Sequence, residues 1–321
     1  MTDARTTEQA LDDLDRPQAH LLEGHDAGWL ARLFASPWWR RPIPAPVALG
    51  AARLIGLLRW MLLARERRRA SIWAMRMLNS PRPTRATRRL ARRGMVEHAV
   101  KVELMWRPWT VARMEIKGIE HLRAARRGGR GVILASAHLG SWVPLLQVLG
   151  RREGRIWVAR FRAVQAGDVL PGWVGLALVA RQQWLDEARV RFVGRGGSYD
   201  ILRKLLERGD VCFLMFDFPG RTETKFLGRR VRLASGTATL ATTLGAPVVP
   251  VFPIRRGHRQ IGEMLPPIWP ADFASAGELH DHLAKLVTRT MRKHAWQAYP
   301  PKTVLGRQVD QAVRRARQPA S

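Results

Sequence analysis

One cysteine in 321 residues, Cys212, excludes an internal disulfide and with it the small secreted scaffolds that rely on cross-links instead of a core. Acid is scarce too: 26 Asp+Glu stand against 55 Lys+Arg, a formal charge of +29 with histidine neutral. Lysine is scarce among those cations, seven in all, so arginine carries the charge. Residues 1–26 are polar and rich in Asp and Glu, so no secretory leader is expected. No internal repeat or low-complexity tract appears, and no metal-ligand set: His280 and His282, two apart on a helix, face different ways. The VGRGGS run fits neither a dinucleotide nor a P-loop fingerprint and reads as a tight turn.

What remains is ordinary globular material, 46% hydrophobic, long enough for one large or two small domains and an ample core. Arginine richness is what a GC-rich genome would write. It also makes a field that attracts phosphates on nucleic acid, an anionic membrane face or an acidic carrier protein. The thirteen tryptophans form no base-stacking motif, so nucleic acid is not the expected partner.

From Pro46 to Ala64 runs an apolar helix, PVALGAARLIGLLRWMLLA, long enough to be tested as a membrane span. Arg53 and Arg59 interrupt it, at about 2.5 to 3.5 kcal/mol each near a bilayer centre. They stand about 120° apart around a helix and so do not share a face. The helix therefore reads as lying on or shallowly in a membrane, with a buried core helix bearing snorkelling arginines as the alternative. Trp38, Trp39, Arg40 and Arg41 before it, and Arg65, Arg67, Arg68 and Arg69 after it, are the residue types of a lipid interface. Pro81 and Pro83 break the helical run that follows, and an arginine-rich helix resumes over 84–112.

After Gly128-Gly129 short apolar runs alternate with helical patterns. Strands are expected at Gly131–Ser136, Arg155–Arg160, Val190–Val193, Val211–Phe216 and Val248–Ile254, and helices at 141–150, 171–188, 199–208, 236–244 and 276–295. This is the pattern of an α/β sheet covered by helices. Ser198 and Ser235 are candidate N-caps, and Gly245 with Pro247 ends the helix after Ser235. Cys212, in an apolar strand, reads as a buried inert thiol.

The strand GVILASA delivers His138 at its carboxyl end, where α/β proteins expose functional groups. A neutral imidazole there can take a proton from a hydroxyl whose oxygen attacks a carbonyl. The segment LASAHLGSWVPLLQVLG resembles the HFGNWE neighbourhood of the bacterial lipid A late acyltransferases and the related phosphatidylinositol mannoside acyltransferases. A second block, FDFPGRTETKFLGRRVRLASGTATLATTLGAPVVPVF, is similar to that family's run of an aspartate, a short loop, FFG, GPA.LA and TGA..VPVF. Asp217, Phe226, Gly228, Gly236, Ala238, Leu240, Ala241, Gly245, Ala246 and Val249 to Phe252 carry the match, in order over about residues 65–300.

The resemblance implies a glycerolipid acyltransferase-like fold, a mixed sheet flanked by helices with N-terminal membrane-associated helices. It implies transfer of a fatty acyl group from acyl carrier protein or coenzyme A, as donor substrate with no bound cofactor, to a hydroxyl of a lipid or glycolipid. His138 would be the general base. The family's HX4(D/E) motif puts a carboxylate five residues after the histidine; here that residue is Val143, and no acid occurs between His138 and Glu153. Glu223 is the first candidate to replace it, because related members carry a glutamate there. Asp217 at the end of VCFLMF is second, and Asp168 ranks below both. Ser136 or Ser141 holding the ring by a neutral bond, or a base with no carboxylate at all, stay open.

Arginines near these loops are candidates for donor or acceptor phosphates, since a guanidinium donates two parallel bonds. They are Arg160 and Arg162 after the second strand and Arg221, Arg229, Arg230 and Arg232 around FLG. Gly140, Ser141, Phe226, Gly228 and Gly236 complete the expected substrate-binding set. The chain thus divides into a polar tail (1–36), a helical membrane-associated region (37–115), an α/β acyltransferase domain (116–300) and a basic tail (301–321). The expected place of work is the cytoplasmic face of the inner membrane, peripheral or monotopic, on an anionic surface. A noncatalytic homologue binding lipid or acyl carrier is the alternative. The stretch HAWQAYPPKTVLGRQ departs from the family's P.QW ending, so acceptor recognition is expected to differ there.

Overall fold

A computed structural model describes residues 41–105, 107, 114–159, 182–193, 198–257 and 259–298. Three helices come first: α1 (Ala45–Leu62), α2 (Ala64–Met77) and α3 (Arg85–Met105). Pro46 sits in the first turn of α1, where a missing N–H costs nothing. At its other end Arg67 donates to the carbonyls of Trp60 and Met61 at 3.0 and 2.9 Å, putting a cation on the negative pole of the helix. Thr84 and Thr87 exchange bonds across the start of α3: the Thr84 N–H donates to Thr87 Oγ1 and the Thr87 N–H to Thr84 Oγ1.

The face of α1 carrying Leu49, Ala52 and Gly56 packs on Val100 and Leu104 of α3. Gly56 is what permits the approach, since a Cβ there would lie 2.6 Å from the Val96 Cα. The other face leaves Val47, Leu54, Ile55, Leu58, Met61 and Leu62 exposed. By length and composition α1 is apolar enough to cross a membrane.

The sheet has seven strands: β1 (Glu115–Lys117), β2 (Val132–Ser136), β3 (Ile156–Ala159), β4 (Val190–Val193), β5 (Val211–Met215), β8 (Val248–Arg256) and β9 (Arg259–Met264). Their order is β1-β9-β8-β2-β5-β3-β4, parallel except for the β8–β9 hairpin. A separate antiparallel pair, β6 (Pro219–Phe226) with β7 (Arg229–Leu233), stands outside it. Helices α4 (Ile119–Arg126), α5 (Trp142–Glu153), α6 (Ser198–Glu207), α7 (Gly236–Leu244) and α8 (Ala276–Lys293) connect the strands.

Alternating strand residues feed two cores, so the architecture is helix, sheet, helix. On one face Ile133, Ala135, Trp157, Cys212, Leu214 and Phe252 meet α6, α7 and α8, together with Trp73, Met77 and Met95 of α2 and α3. On the other, Val132, Leu134, Val158, Phe213 and Val251 meet α4 and α5. The helices α2 and α3 are therefore built into the core of the sheet domain.

All five expected strands form, and the helix expected at 236–244 starts and stops at those residues. Gly245 ends it in the left-handed conformation, φ 62°. Ser235 precedes it but makes no side-chain capping bond, and Ser198 is the first helical residue instead of the one before it. The helix after Ser275 has the reciprocal cap: Ser275 Oγ accepts from the Glu278 N–H, and Glu278 accepts from the Ala274 N–H. Most of the helix expected at 171–188 lies outside the described residues.

Candidate active site

Strands β2 and β5 run parallel in a register that sets Ser136 opposite Met215. The ladder continues past both strand ends, with the Phe216 N–H donating to the Ser136 carbonyl at 2.7 Å. Two residues further along each chain stand His138 and Asp217. Asp217 Oδ1 lies 2.9 Å from His138 Nδ1, and both carboxylate oxygens accept from the His138 backbone N–H at 3.2 Å. The Asp217 side chain is 1% exposed and that of His138 20%, so the acid is dry while the ring opens outward. The Phe218 ring meets the imidazole edge to face at 5.0 Å and 88°.

This geometry fixes what the imidazole can do. With Nδ1–H donated to the carboxylate, the Nε2 lone pair is free to accept a proton, and the adjacent negative charge stabilises the imidazolium that results. His138 Nε2 has no partner among the described residues.

The partner of His138 is thus Asp217, where Glu223 was expected. Glu223 sits in β6, opposite Arg232 of β7, and pairs with Arg230 at 3.2 Å on an exposed edge. It lines a polar cleft with Thr224, Lys225 and Arg230 of the hairpin and Asp281 and Lys285 of α8. Ser136 Oγ is buried with no partner, and Ser141 makes no capping bond at the start of α5. Val143, at the motif's carboxylate position, is buried in the apolar core on the α5 side.

The FLG block forms the β6–β7 turn. Leu227 and Gly228 both take positive φ, 51° and 83°, as a two-residue hairpin requires. Phe226 is buried in the core, and the Leu227 N–H donates to Thr288 of α8 at 3.1 Å. Gly140 takes φ +61°, and a Cβ there would stand 1.8 Å from the Pro253 carbonyl oxygen, so the loop after His138 lies directly on β8. Gly236 opens α7 with free space around it, and Arg221 is exposed on β6. Arg160, Arg162 and Asp168 lie outside the described residues.

Two residues outside the expected site set reach the same loop. The backbone carbonyl of Gln297 accepts from the Gly140 N–H at 3.1 Å and from Lys101 Nζ at 3.3 Å. The fully buried Gln297 side chain binds Arg255 of β8 through its backbone N–H at 2.8 Å and its carbonyl at 3.0 Å. Arg255 in turn forms a buried ion pair with Glu97 of α3. Trp296 lies under Arg93 at 4.1 Å and Arg255 at 5.4 Å. Burial lowers the Lys101 amine from 10.5 to about 8, with Glu97 and Asp217 pulling it back upward. The sequence signal for it is a lysine, one of seven in an arginine-dominated chain, set in an arginine-rich helix.

Among the described residues no group of three His, Cys, Asp or Glu gathers to hold a metal. The chain is similar in structure to the 1-acyl-sn-glycerophosphate (LPA) acyltransferase PlsC from Thermotoga maritima, at 15% identity and a TM-score of 0.36, over 76% of this chain and 97% of that one. No curated protein sequence matches. The model of the family described as bacterial lipid A biosynthesis acyltransferase matches residues 93–297, from α3 to Gln297 and through the whole of the His138 site. Since that match spans more than half of its length, the chain belongs to the bacterial lipid A biosynthesis acyltransferase family.

Proposed function

We propose that the protein transfers a fatty acyl group from a thioester, on acyl carrier protein or coenzyme A, to a hydroxyl of a lipid or glycolipid, with His138 as general base. The observation that carries this reading is the His138–Asp217 pair, a solvent-facing imidazole backed by a buried carboxylate at the carboxyl end of the sheet. His138 Nε2 accepts the proton of the acceptor hydroxyl as its oxygen bonds to the thioester carbonyl carbon. The tetrahedral intermediate collapses by breaking the C–S bond, and the imidazolium returns the proton to the leaving thiolate. Asp217 holds the required tautomer and the developing positive charge throughout.

The apolar face of α1 supports a membrane location, and its other face supports a particular pose. Crossing the bilayer would drag in α3, which carries five arginines in its first nine residues and is packed against α1 by way of Gly56. An in-plane helix avoids that cost, with Leu54, Leu58 and Met61 toward the acyl chains. Arg59 is already neutralised by Glu66 at 2.8 Å. Both proposed donors are cytoplasmic molecules, which supports the cytoplasmic face of the cell membrane as the site of the reaction.

The test is transfer of a labelled acyl group from each donor into a membrane lipid extract, with products identified by mass spectrometry. The reading expects a labelled lipid that His138→Ala abolishes. If wild type and His138→Ala are equally silent with both donors on lipids of the native host, the protein is a lipid- or carrier-binding homologue instead.

A further inference from the structure

The Gln297 carbonyl is a junction between three parts of the fold. It belongs to the segment after α8, it accepts from the loop that carries His138, and it accepts from Lys101 on α3. Its position is not adjustable, because the Gln297 side chain is bound twice to the β8 backbone and Glu97 ties the same stretch of β8 to α3. Taking the Lys101 ammonium partly out of water is costly, and the Gln297 bond and the opposing carboxylates repay only part of it, so the amine stays below its ordinary value. The charged groups facing Lys101 are Glu97, one turn earlier on α3 and bound to Arg255 of β8, and Asp217 after β5, bound to His138.

We propose that Lys101 is a positioning residue of the His138 centre: with Gln297 it fixes the loop that bears His138 and Gly140, and its positive charge facing Asp217 is needed for the pair to work. This rests on the acyl-transfer reading of that site. Lys101 does not touch the reacting atoms; it acts through the Gln297 carbonyl and the Asp217 carboxylate. The amine loses its charge at about pH 8. Below that pH the ammonium holds the carbonyl and faces the carboxylate; above it the bond weakens and Asp217 loses a cation.

Two experiments on the full-length protein test this. In the first, kcat and KM for acyl transfer are followed from pH 6 to 10 in wild type, Lys101→Met and Lys101→Arg. Wild type should lose activity on an alkaline limb near pH 8. Lys101→Met should lower kcat at pH 7 by about 10- to 100-fold, the scale of a displaced catalytic group, with KM little changed and no limb near 8. Lys101→Arg should recover most of kcat and keep it to pH 9, since a guanidinium stays charged. A folded Lys101→Met that keeps wild-type kcat and the same alkaline limb overturns the proposal. In the second, competitive acetylation of the seven lysines, read peptide by peptide, follows Lys101 without using activity. Lys101 should titrate near 8 in wild type and lower still in Asp217→Asn, which removes a charge that raises it. Titration near 10.5, or indifference to Asp217→Asn, overturns the proposal even if Lys101→Met fails to fold. A wild type that transfers no acyl group sinks the acyl-transfer reading instead, and the labelling alone then judges the Lys101–Asp217 coupling.

Discussion

Asp217 grips His138 at two places at once: one oxygen on the ring nitrogen at 2.9 Å and both oxygens on the backbone N–H at 3.2 Å. The carboxylate therefore sets the position of the loop as well as the tautomer of the ring. A motif carboxylate in the first turn of α5 would reach the ring from a different element. Val143 occupies that place without leaving a hole, because it fills the core between α5 and the sheet.

Asp217→Asn should cut kcat for acyl transfer by about 1,000- to 10,000-fold, since an amide favours the wrong imidazole tautomer. Glu223→Gln should stay within about threefold of wild type, because it breaks an exposed pair with Arg230 that is worth little. Steady-state rates with saturating donor decide both. Equal losses from the two variants would count against the assignment of the acid.

Gly140→Ala should unfold more readily than wild type by about 2 to 4 kcal/mol, the range of steric and backbone-strain mutations. The added methyl must displace the Pro253 carbonyl, and the backbone sits at φ +61°. Urea denaturation followed by tryptophan fluorescence measures it. A loss under about 0.5 kcal/mol, typical of an unconstrained surface site, would show that the loop does not rest on β8.

Replacing Leu54, Leu58 and Met61 together by serine should weaken binding to anionic vesicles by about 100-fold, from about 1 kcal/mol of lost apolar burial at each half-exposed side chain. The thermal midpoint should hold, because none of the three lies in the contact with α3. Cosedimentation with vesicles gives the affinity, and unchanged partitioning would remove α1 from the membrane.

His280 is 1% exposed, stacks on Phe216 at 4.9 Å and has no partner for either ring nitrogen. Burial holds its proton affinity below the ordinary 6.5, with Asp281 opposing weakly. His294 is lowered in the same sense, by burial and then by Lys293. A histidine depressed in the folded state contributes its full stability above pH 6.5 and loses it as pH falls toward the folded value. His280→Phe should therefore be more stable than wild type by about 1 kcal/mol at pH 7.5, having no unpaired nitrogens to bury, and by more at pH 5. Denaturation at the two pH values tests this, and a destabilised His280→Phe would mean that the ring nitrogens have partners.

The apolar strands and the helix over Gly236–Leu244 were legible because burial on both faces writes a continuous apolar run and glycine writes a stop. The edges were not. β1 is three residues long, and β9, RQIGEM, next to it, opens on two polar residues and carries a glycine and a glutamate, so neither writes an apolar run. The β6–β7 hairpin escaped because PGRTETKF and RRVRL are mostly polar and their turn is Leu-Gly instead of Asn-Gly. His138 was legible from its place after GVILASA. Its partner was not, since a sequence names strands without their order, and only adjacency of β2 and β5 makes Asp217 nearer than Glu223. The Ser275-x-x-Glu278 cap is a helix-start signal that the sequence alone carries.

Because base and acid ride on neighbouring strands of one ladder, their distance measures how the sheet is assembled. A slip of β5 against β2 by a single residue would carry Asp217 about 3.3 Å along and turn its side chain to the opposite layer. No compact intermediate with misaligned strands can therefore hold the pair together, however native its helix content. Recovery of the His138–Asp217 contact during refolding would mark the moment the central strands lock, a clock for the whole fold read from one hydrogen bond.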